Sequence, residues 1–323
     1  MIGLRMPQIC RTLGLLLLQG GSLLPADSDR EIGLGHYLNR EFDLAVERFQ
    51  RYSAAAPVSA EARLLLAKAL LYQELDRLGH VGTRAFRGDQ EYRTAEKPKP
   101  DPEAVRQILG ALEQGQQACE RVLAEAADDR QSLHCLAQLH LMRASYEYFI
   151  AKDYLRALAR GRKGRQLSYR VGQIYPEFAD GLLVAGFYEY LLGSLPWPLR
   201  AMIAIRGDRG NKQKGIQIVE RVVREGGESR DEARVLQALI YRRERAPREA
   251  AEAFGRLAED FPRSYLFALE SADLYESAGE RDTALELFRE VSEKRKSGMD
   301  RFDRMPECMA AALERRIRAL ERK

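Results

Sequence analysis

The sequence is poor in the residues that build metal, redox and disulfide sites. It has 4 Cys, 4 His and 1 Trp among 323 residues. Its 52 Lys and Arg nearly balance 48 Asp and Glu, so the formal charge of +4 cannot create the strong field that bulk binding to a polyanion requires. With 25 Gly and 12 Pro, the chain is neither collagen-like nor of low complexity. We therefore expect a folded protein that does not bind nucleic acid.

The motifs of common catalytic and metal sites are missing as well. The sequence has no His-Glu-x-x-His, Cys-x-x-Cys or Gly-x-Ser-x-Gly, and His134 and His140 lie about 120° apart on a helix. Residues 210–215 resemble half of a phosphate-binding loop, but Ile216 and Gln217 stand where Lys and Ser or Thr are required. We expect a protein that is not an enzyme, with no catalytic residue, cofactor, metal or small-molecule substrate.

Residues 1–26 have the order of a secretory signal peptide. Arg5 and Arg11 come before the apolar run 13–18, and small and turn-forming residues then lead to Ala26 and an acidic stretch. The run is too short to span a bilayer, and no later segment has the roughly 18 uninterrupted apolar residues that a span needs. We expect cleavage after Ala26 and a secreted or periplasmic protein. The alternative is that these residues form an ordinary first helix.

Cleavage would leave an odd number of cysteines, namely Cys119, Cys135 and Cys308. In an oxidising compartment at least one thiol must then be free or paired with another molecule. Cys119 and Cys135 are about equally far from the turn at Asp128 and Asp129. Two interpretations stay open at this stage: a disulfide across a helical hairpin, or two small core residues.

The C-terminal half contains a sequence repeat with a fixed period of about 34 residues. Positions of small or aromatic type recur at this spacing: Ala238 and Ala272, Tyr241 and Tyr275, Ala250 and Ala284, Phe254 and Phe288. The N-terminal segment has the same types at the same relative spacings: Gly33, Ala45, Phe49 and Pro57. Small residues let two antiparallel helices cross closely, and aromatic residues fill the wedge between units. The pattern resembles the tetratricopeptide repeat, which implies an all-α, right-handed helical-repeat solenoid.

Apolar spacing and the positions of Pro and Gly predict six helical pairs and a capping helix. The pairs are 30–39 with 42–55, 58–78 with 103–127, 131–149 with 152–174, 177–192 with 211–226, 230–244 with 247–260, and 264–278 with 281–296. The last helix, 306–322, closes the array with a single apolar stripe. The solenoid is expected to cover residues 27–323, with loop insertions near 79–102 and 193–210.

A closer resemblance covers about the C-terminal half. Residues 187–190 read Phe-Tyr-Glu-Tyr and 195–197 read Leu-Pro-Trp, followed by a glycine-bounded turn, a helical pair and Asp-Phe-Pro at 260–262. This order is similar to a group of bacterial tetratricopeptide proteins, and more distantly to the tetratricopeptide repeat protein 39 family. The resemblance implies protein association. Positions that bind peptides in such repeats correspond here to Glu232, Val235, Leu239 and Arg242, and to Leu266, Leu269, Asp273 and Glu276.

The single tryptophan, Trp197, lies between two prolines beside an apolar stretch. It suits an anchor for a partner or a membrane surface, but large aromatic side chains are mostly buried, so we expect it to pack into the array. Residues 156–170 carry a basic stripe that we interpret as a solvated face. In the alternative, this stripe holds anionic head groups while Trp197, Met202, Ile203 and Ile205 insert into the lipid surface.

These features favour a non-enzymatic scaffold for protein–protein interaction. Its concave groove would bind a partner protein or peptide segment, with each repeat contributing a few side chains, and so assemble a complex at the cell envelope. Trp197 is expected to join the groove positions as a partner-binding residue. The alternative is a peripheral protein of the membrane surface that uses the insertion around Trp197.

Overall fold

The computed structural model describes residues 25–80, 98–205 and 207–322, and these form helices and no β-strand. The α-helices are α1 (Pro25–Leu38), α2 (Phe42–Ala55), α3 (Ala60–Arg77), α4 (Pro102–Glu125), α5 (Arg130–Phe149), α6 (Tyr154–Ile174), α7 (Leu183–Gly193), α8 (Trp197–Ile205), α9 (Lys212–Glu225), α10 (Arg230–Arg243), α11 (Pro247–Asp260), α12 (Tyr265–Ser277), α13 (Arg281–Ser297) and α14 (Glu307–Glu321). Two short 3-10 helices, Ala179–Leu182 and Met299–Arg304, complete them. Within these ranges, no helix is both long and apolar enough to cross a membrane.

Helices that follow each other in the chain pack against each other, except that α7 packs against α9 rather than α8, as expected for an array of helical hairpins with an inserted helix. Short polar turns separate most of them. Ser59, Asp101 and Asp129 each begin a helix by accepting a hydrogen bond from a backbone N–H of its first turn. Pro102 and Pro247 stand at the first position of their helices, where no N–H is needed.

The predicted helices are confirmed, with bounds that differ by a few residues. The largest differences are at α1, which begins at Pro25, and in the fourth pair, whose first member is divided into a 3-10 turn and α7. Inside the insertion near 193–210, Trp197–Ile205 form a further helix, α8. Of the predicted signal peptide, residues 1–24 lie outside the described part of the chain, as do residues 81–97 of the other insertion.

The alanines and phenylalanines that recur with the repeat period occupy equivalent buried places. The alanines are fully buried: Ala238, Ala250, Ala272 and Ala284. Phe254 and Phe288 are buried at 1% and 2% exposure, and Phe49 is fully buried in the N-terminal unit. A Cβ on Gly33 would lie 2.6 Å from the Phe49 ring, so the small residue there is a requirement of close packing. The fold is thus an all-α array of similar hairpins.

The repeat also appears in the backbone of the turns. Arg245 and Gly279 are one repeat period apart, and both adopt the left-handed conformation, with φ of 63° and 88°. Each residue follows the first helix of its hairpin and precedes the second. A left-handed backbone costs about 1–2 kcal/mol for an L-residue and little for Gly.

Exchanging the residue types at these two turns should change stability in opposite directions. We expect Arg245→Gly to raise the free energy of unfolding by about 0.5 kcal/mol, since relief of strain exceeds the added entropy of the unfolded chain. Gly279→Ala should lower it by about 1 kcal/mol through the backbone alone, because no atom lies within 4 Å of the new Cβ. Urea unfolding measures both, with Arg245→Ala as the control. Shifts of the same sign for Arg245→Gly and Gly279→Ala would contradict the turn geometry.

Cys119 and Cys135 lie together in the core between α4 and α5. Both are free thiols with almost no exposure. A hydrogen bond between the two thiols, followed by burial, raises the pKa of Cys135 well above its usual value. The expected approach across the hairpin is therefore present, and in this structure the two residues pack as small core side chains.

Two buried histidines on α5 make stability depend on pH. Burial, followed by the nearby charges of Lys68 and Arg130, lowers the pKa of His134 to about 3. Burial, followed by Arg160 and Lys163, lowers the pKa of His140 to about 4. The unfolded chain therefore takes up protons on these side chains below about pH 6.5, whereas the folded chain does not.

Stability should accordingly fall as the pH decreases from 6.5. At pH 5 we expect each histidine to cost about 2 kcal/mol relative to pH 7.5, because each pKa unit corresponds to about 1.4 kcal/mol. Urea unfolding at both pH values checks this, with His134→Leu as the comparison. The variant should lose about half of the pH-dependent drop. An unchanged drop would show that His134 is not buried in its neutral form.

Candidate functional site

The apolar groove positions predicted on α10 and α12 lie beside the cores of their own hairpins. Val235 and Leu239 are half-buried and pack against the cluster that contains Phe254. Leu269 packs in the same way against the cluster around Phe288. Leu266, also half-buried, lines a cavity described below. Only part of each apolar side chain is thus accessible to another molecule.

The polar groove positions form ion pairs within the chain. Arg242 pairs with Glu270 on the next hairpin. Arg316 of α14 binds both Asp273, at 3.2 Å, and Glu276, at 2.5 Å. A partner that binds these residues must compete with bonds that already exist.

Glu232 contacts the other end of the chain. Its carboxylate accepts a hydrogen bond of 2.8 Å from the Nζ of Lys68 on α3, 164 residues away. The Lys68 side chain is only 7% exposed, so water cannot hydrate its ammonium group well. The Glu232 carboxylate therefore provides the charged partner that this buried group needs. Burial, followed by the charge of Glu232, also raises the pKa of Tyr37 on α1. Side chains of α1 and α3 therefore reach Glu232 of α10.

A second contact between the two ends is centred on Glu41, in the turn between α1 and α2. Its buried carboxylate lies 2.7 Å from Nδ1 of His36 and accepts a 3.1 Å hydrogen bond from Nε of Arg263. Nε of Arg301 lies 3.2 Å from the other carboxylate oxygen. The side-chain oxygen of Asn39 also accepts a hydrogen bond from the backbone N–H of Arg263. The array is thus curled so that its N-terminal hairpin meets the turns before α12 and α14.

A cavity of about 520 Å³ lies at this meeting point. Its lining carries charges of both signs together with the apolar Phe42, Tyr265 and Leu266. The basic members are Arg40, Arg77, Arg263, Arg301 and Arg304, and the acidic members are Glu41, Asp43, Glu74, Asp76 and Asp101. Such a lining suits a polar segment of mixed charge rather than a drug-like apolar ligand.

Trp197 lies on the exposed helix α8. The expectation that it packs into the array is wrong, since 72% of its surface is exposed. Met202 and Ile205 are exposed by 57% and 87%, and no residue of α8 is buried. The prolines on each side of Trp197 direct the chain away from α7 instead of allowing that helix to continue.

The two chain segments that carry α8 are held tightly together by glycines, and we call residues 193–196 and 207–211 the stem. A Cβ on Gly193 would lie 2.2 Å from the backbone N of Lys212, and one on Gly210 would lie 2.3 Å from the N of Gly193. Following the stem, Gly215 similarly approaches the N of Tyr190. These approaches leave no room for side chains, which explains the glycines of the apparent phosphate loop.

Buried carboxylates fix the stem to the body of the protein. Asp208, whose side chain is fully buried, accepts a 2.8 Å hydrogen bond from Nε of Arg162 on α6. Glu189 of α7 accepts hydrogen bonds of 2.8 Å from Tyr169 and from the backbone N–H of Asn211. Because charged hydrogen bonds in a buried place hold fixed geometry, α8 has a defined position.

The basic stripe on α6 is largely paired with acids. Arg156 pairs with Asp153, Arg160 lies 3.7 Å from Glu147, and Arg170 pairs with Asp128. Lys163 is exposed. The pairing reduces the field that the stripe offers to an anionic partner.

Comparisons with known proteins supply no family for this chain. Neither the protein-family models nor the curated protein sequences contain a match.

Sequence reasoning missed Glu41, Lys68 and Asp208. Glu41 and Lys68 find their partners more than 160 residues along the chain, and such pairs leave no local pattern. Asp208 had a usable signal, because it is the one acid in the strongly basic segment 200–214. A lone acid among cations is a candidate for a buried ion pair.

Proposed function

We propose that the chain is a non-catalytic scaffold of the tetratricopeptide type, which binds a partner protein on its concave side. The observation that carries this proposal is the cavity between the α1–α2 turn and α12, because it takes in Leu266, one of the peptide-binding positions that the sequence resemblance implies. The burial of the recurring alanines and phenylalanines supports the repeat type.

The chemistry of the cavity indicates what kind of partner fits. Five arginines and five acids line it, so an extended polar segment that carries both charges can exchange ion pairs with it. The partial exposure of Val235, Leu239 and Leu269 adds modest apolar contacts along the same side. Affinity would then be a sum over several units, as in other repeat scaffolds.

The location outside the cytoplasmic membrane is part of the same proposal. A secreted or periplasmic location rests on the order of residues 1–26, and it would place the complex at the cell envelope. The right-handed course of the solenoid rests on the resemblance to tetratricopeptide repeats. We assign the scaffold no cofactor, metal or small-molecule substrate.

Crosslinking of the tagged full-length protein in the cells that produce it tests the proposal. After fractionation and mass spectrometry, we expect one stoichiometric partner in the envelope fraction, lost on Leu266→Arg and retained on Val58→Arg. Val58 is a matched control because it is an apolar residue exposed by 75% and absent from the cavity lining. Thermal melting must show both variants folded. Equal recovery of the partner by both variants would rule out the concave side.

A further inference from the structure

The outward face of α8 is apolar, which is the reverse of an ordinary surface helix. At 100° per residue, Trp197, Pro198, Leu199, Met202 and Ile205 share an arc of about 200°, and all five are exposed. Of the half-buried residues, Ile203 and Ala204 lie outside this arc, toward the body, and the small Ala201 lies within it. The helix therefore presents its larger apolar side chains to the surroundings.

The surroundings of α8 are positively charged. Residues 194–214 contain five basic residues and one acid, a net charge as large as the +4 of the whole chain. Arg200, Arg209, Lys212 and Lys214 are exposed, although Lys212 pairs with Glu244, and the single acid, Asp208, is buried against Arg162. An apolar helix with a cationic border is the combination that binds anionic interfaces.

A second exposed apolar pair lies on α6, at the end of the α6–α7 pair from which the stem departs. Gly164 of α6 faces Val184 and Gly161 faces Tyr188, so α7 runs antiparallel to α6. The end of α7, from which the stem departs, is therefore level with the first turn of α6. In that turn Tyr154 and Leu155 are exposed by 58% and 61%. Apolar side chains of both elements are thus available at one edge of the array.

The size and charge of α8 favour a lipid surface over a protein surface. Nine residues give a helix of about 13 Å, too short by itself for the roughly 800 Å² that each partner contributes to a stable protein interface. A second copy of the chain would bring the same cations face to face. We propose that α8 docks the protein on the surface of an anionic phospholipid bilayer. This docking is independent of the proposed concave-side function.

The rigid stem determines how α8 would bind the bilayer. Because Gly193, Gly210 and the buried Asp208 fix its position, α8 loses little freedom when it inserts. Trp197 and Ile205 enter the boundary between head groups and acyl chains, and the cations stay among the phosphates. The helix lies in the interface and does not cross the bilayer.

Trp197 provides a direct readout because it is the single tryptophan of the chain. The full chain is mixed with vesicles of phosphatidylcholine, with or without about one third phosphatidylglycerol, and binding is followed by sedimentation. Only the anionic vesicles should bind it, with a blue shift of the tryptophan emission and quenching by brominated lipid. Raising the salt concentration should weaken binding.

Variants separate this docking from unspecific adsorption. Ile205→Ser should reduce partition to anionic vesicles about tenfold, whereas Val58→Ser, at another exposed apolar site, should leave it unchanged. Light scattering of the lipid-free protein shows whether it is a monomer or a dimer. Absence of binding to anionic vesicles would overturn the proposal. So would a dimer in which the tryptophan emission is already blue-shifted, or equal losses in the two variants.

Discussion

Replacing Phe49, Phe254 or Phe288 by Ala is expected to lower the free energy of unfolding by about 3–5 kcal/mol at each position. Each ring fills a closed space between helices of its hairpin and the neighbouring unit, and all three are at most 2% exposed. Phe254 also packs near Phe267 of the following helix, with ring centroids 6.1 Å apart. Removing a ring leaves a cavity that a rigid helical array closes only in part.

Similar losses at all three sites would show that equivalent positions of the repeat contribute similarly to stability, in addition to occupying similar places. The measurement is urea unfolding monitored by circular dichroism, with Val58→Ala as a control whose effect should stay within about 0.5 kcal/mol. Since the units contact mainly their neighbours, each variant can also make unfolding less cooperative in its own part of the array. A loss below about 1 kcal/mol at Phe288 with a full loss at Phe254 would contradict equivalent roles.

Glu232→Ala should destabilise the protein by about 3 kcal/mol, although its side chain is only partly buried. The reason is Lys68, whose ammonium is 7% exposed and would lose its carboxylate partner. Lys68→Met should cost less, about 1 kcal/mol, because the remaining Glu232 is 29% exposed and can be hydrated.

The double variant Lys68→Met with Glu232→Ala separates the pair from its surroundings. We expect it to be about 2 kcal/mol more stable than Glu232→Ala alone, because no unpaired ammonium remains in the core. A double-mutant cycle by urea unfolding gives the coupling between residues of α3 and α10. Additive effects would show that Lys68 of α3 and Glu232 of α10 are not coupled.

The helices themselves could be predicted from the sequence because local signals mark their ends. Pro247, Gly279 and the polar caps Ser59 and Asp129 stand at boundaries that the structure reproduces closely. The recurrence of Ala250 and Phe254 as Ala284 and Phe288 predicted repeated helical hairpins, since close helix crossing requires small residues at fixed spacing.

The curling of the array could not be predicted in this way. It depends on Lys68 with Glu232 and on Glu41 with Arg263, and neither pair has a sequence period. For this reason no sequence signal indicated that the turn between α1 and α2 contacts the turn before α12.

The exposure of Trp197 was mispredicted for a different physical reason. Burial is the usual outcome for a large aromatic residue, and the short segment 197–205 is too brief for its periodicity to distinguish an inward from an outward apolar face. The decisive features, the close glycine contacts of the stem and the ion pair of Asp208 with Arg162, exist only in three dimensions.

Hydrogen exchange of the purified protein, with and without the partner recovered by crosslinking, tests most directly whether the concave side binds a protein. Binding there should slow exchange in α10, in α12 and in the turn around Glu41, and leave the second helices α11 and α13 unchanged. Slower exchange in α11 and α13, with α10 and α12 unaffected, would contradict the concave-side scaffold.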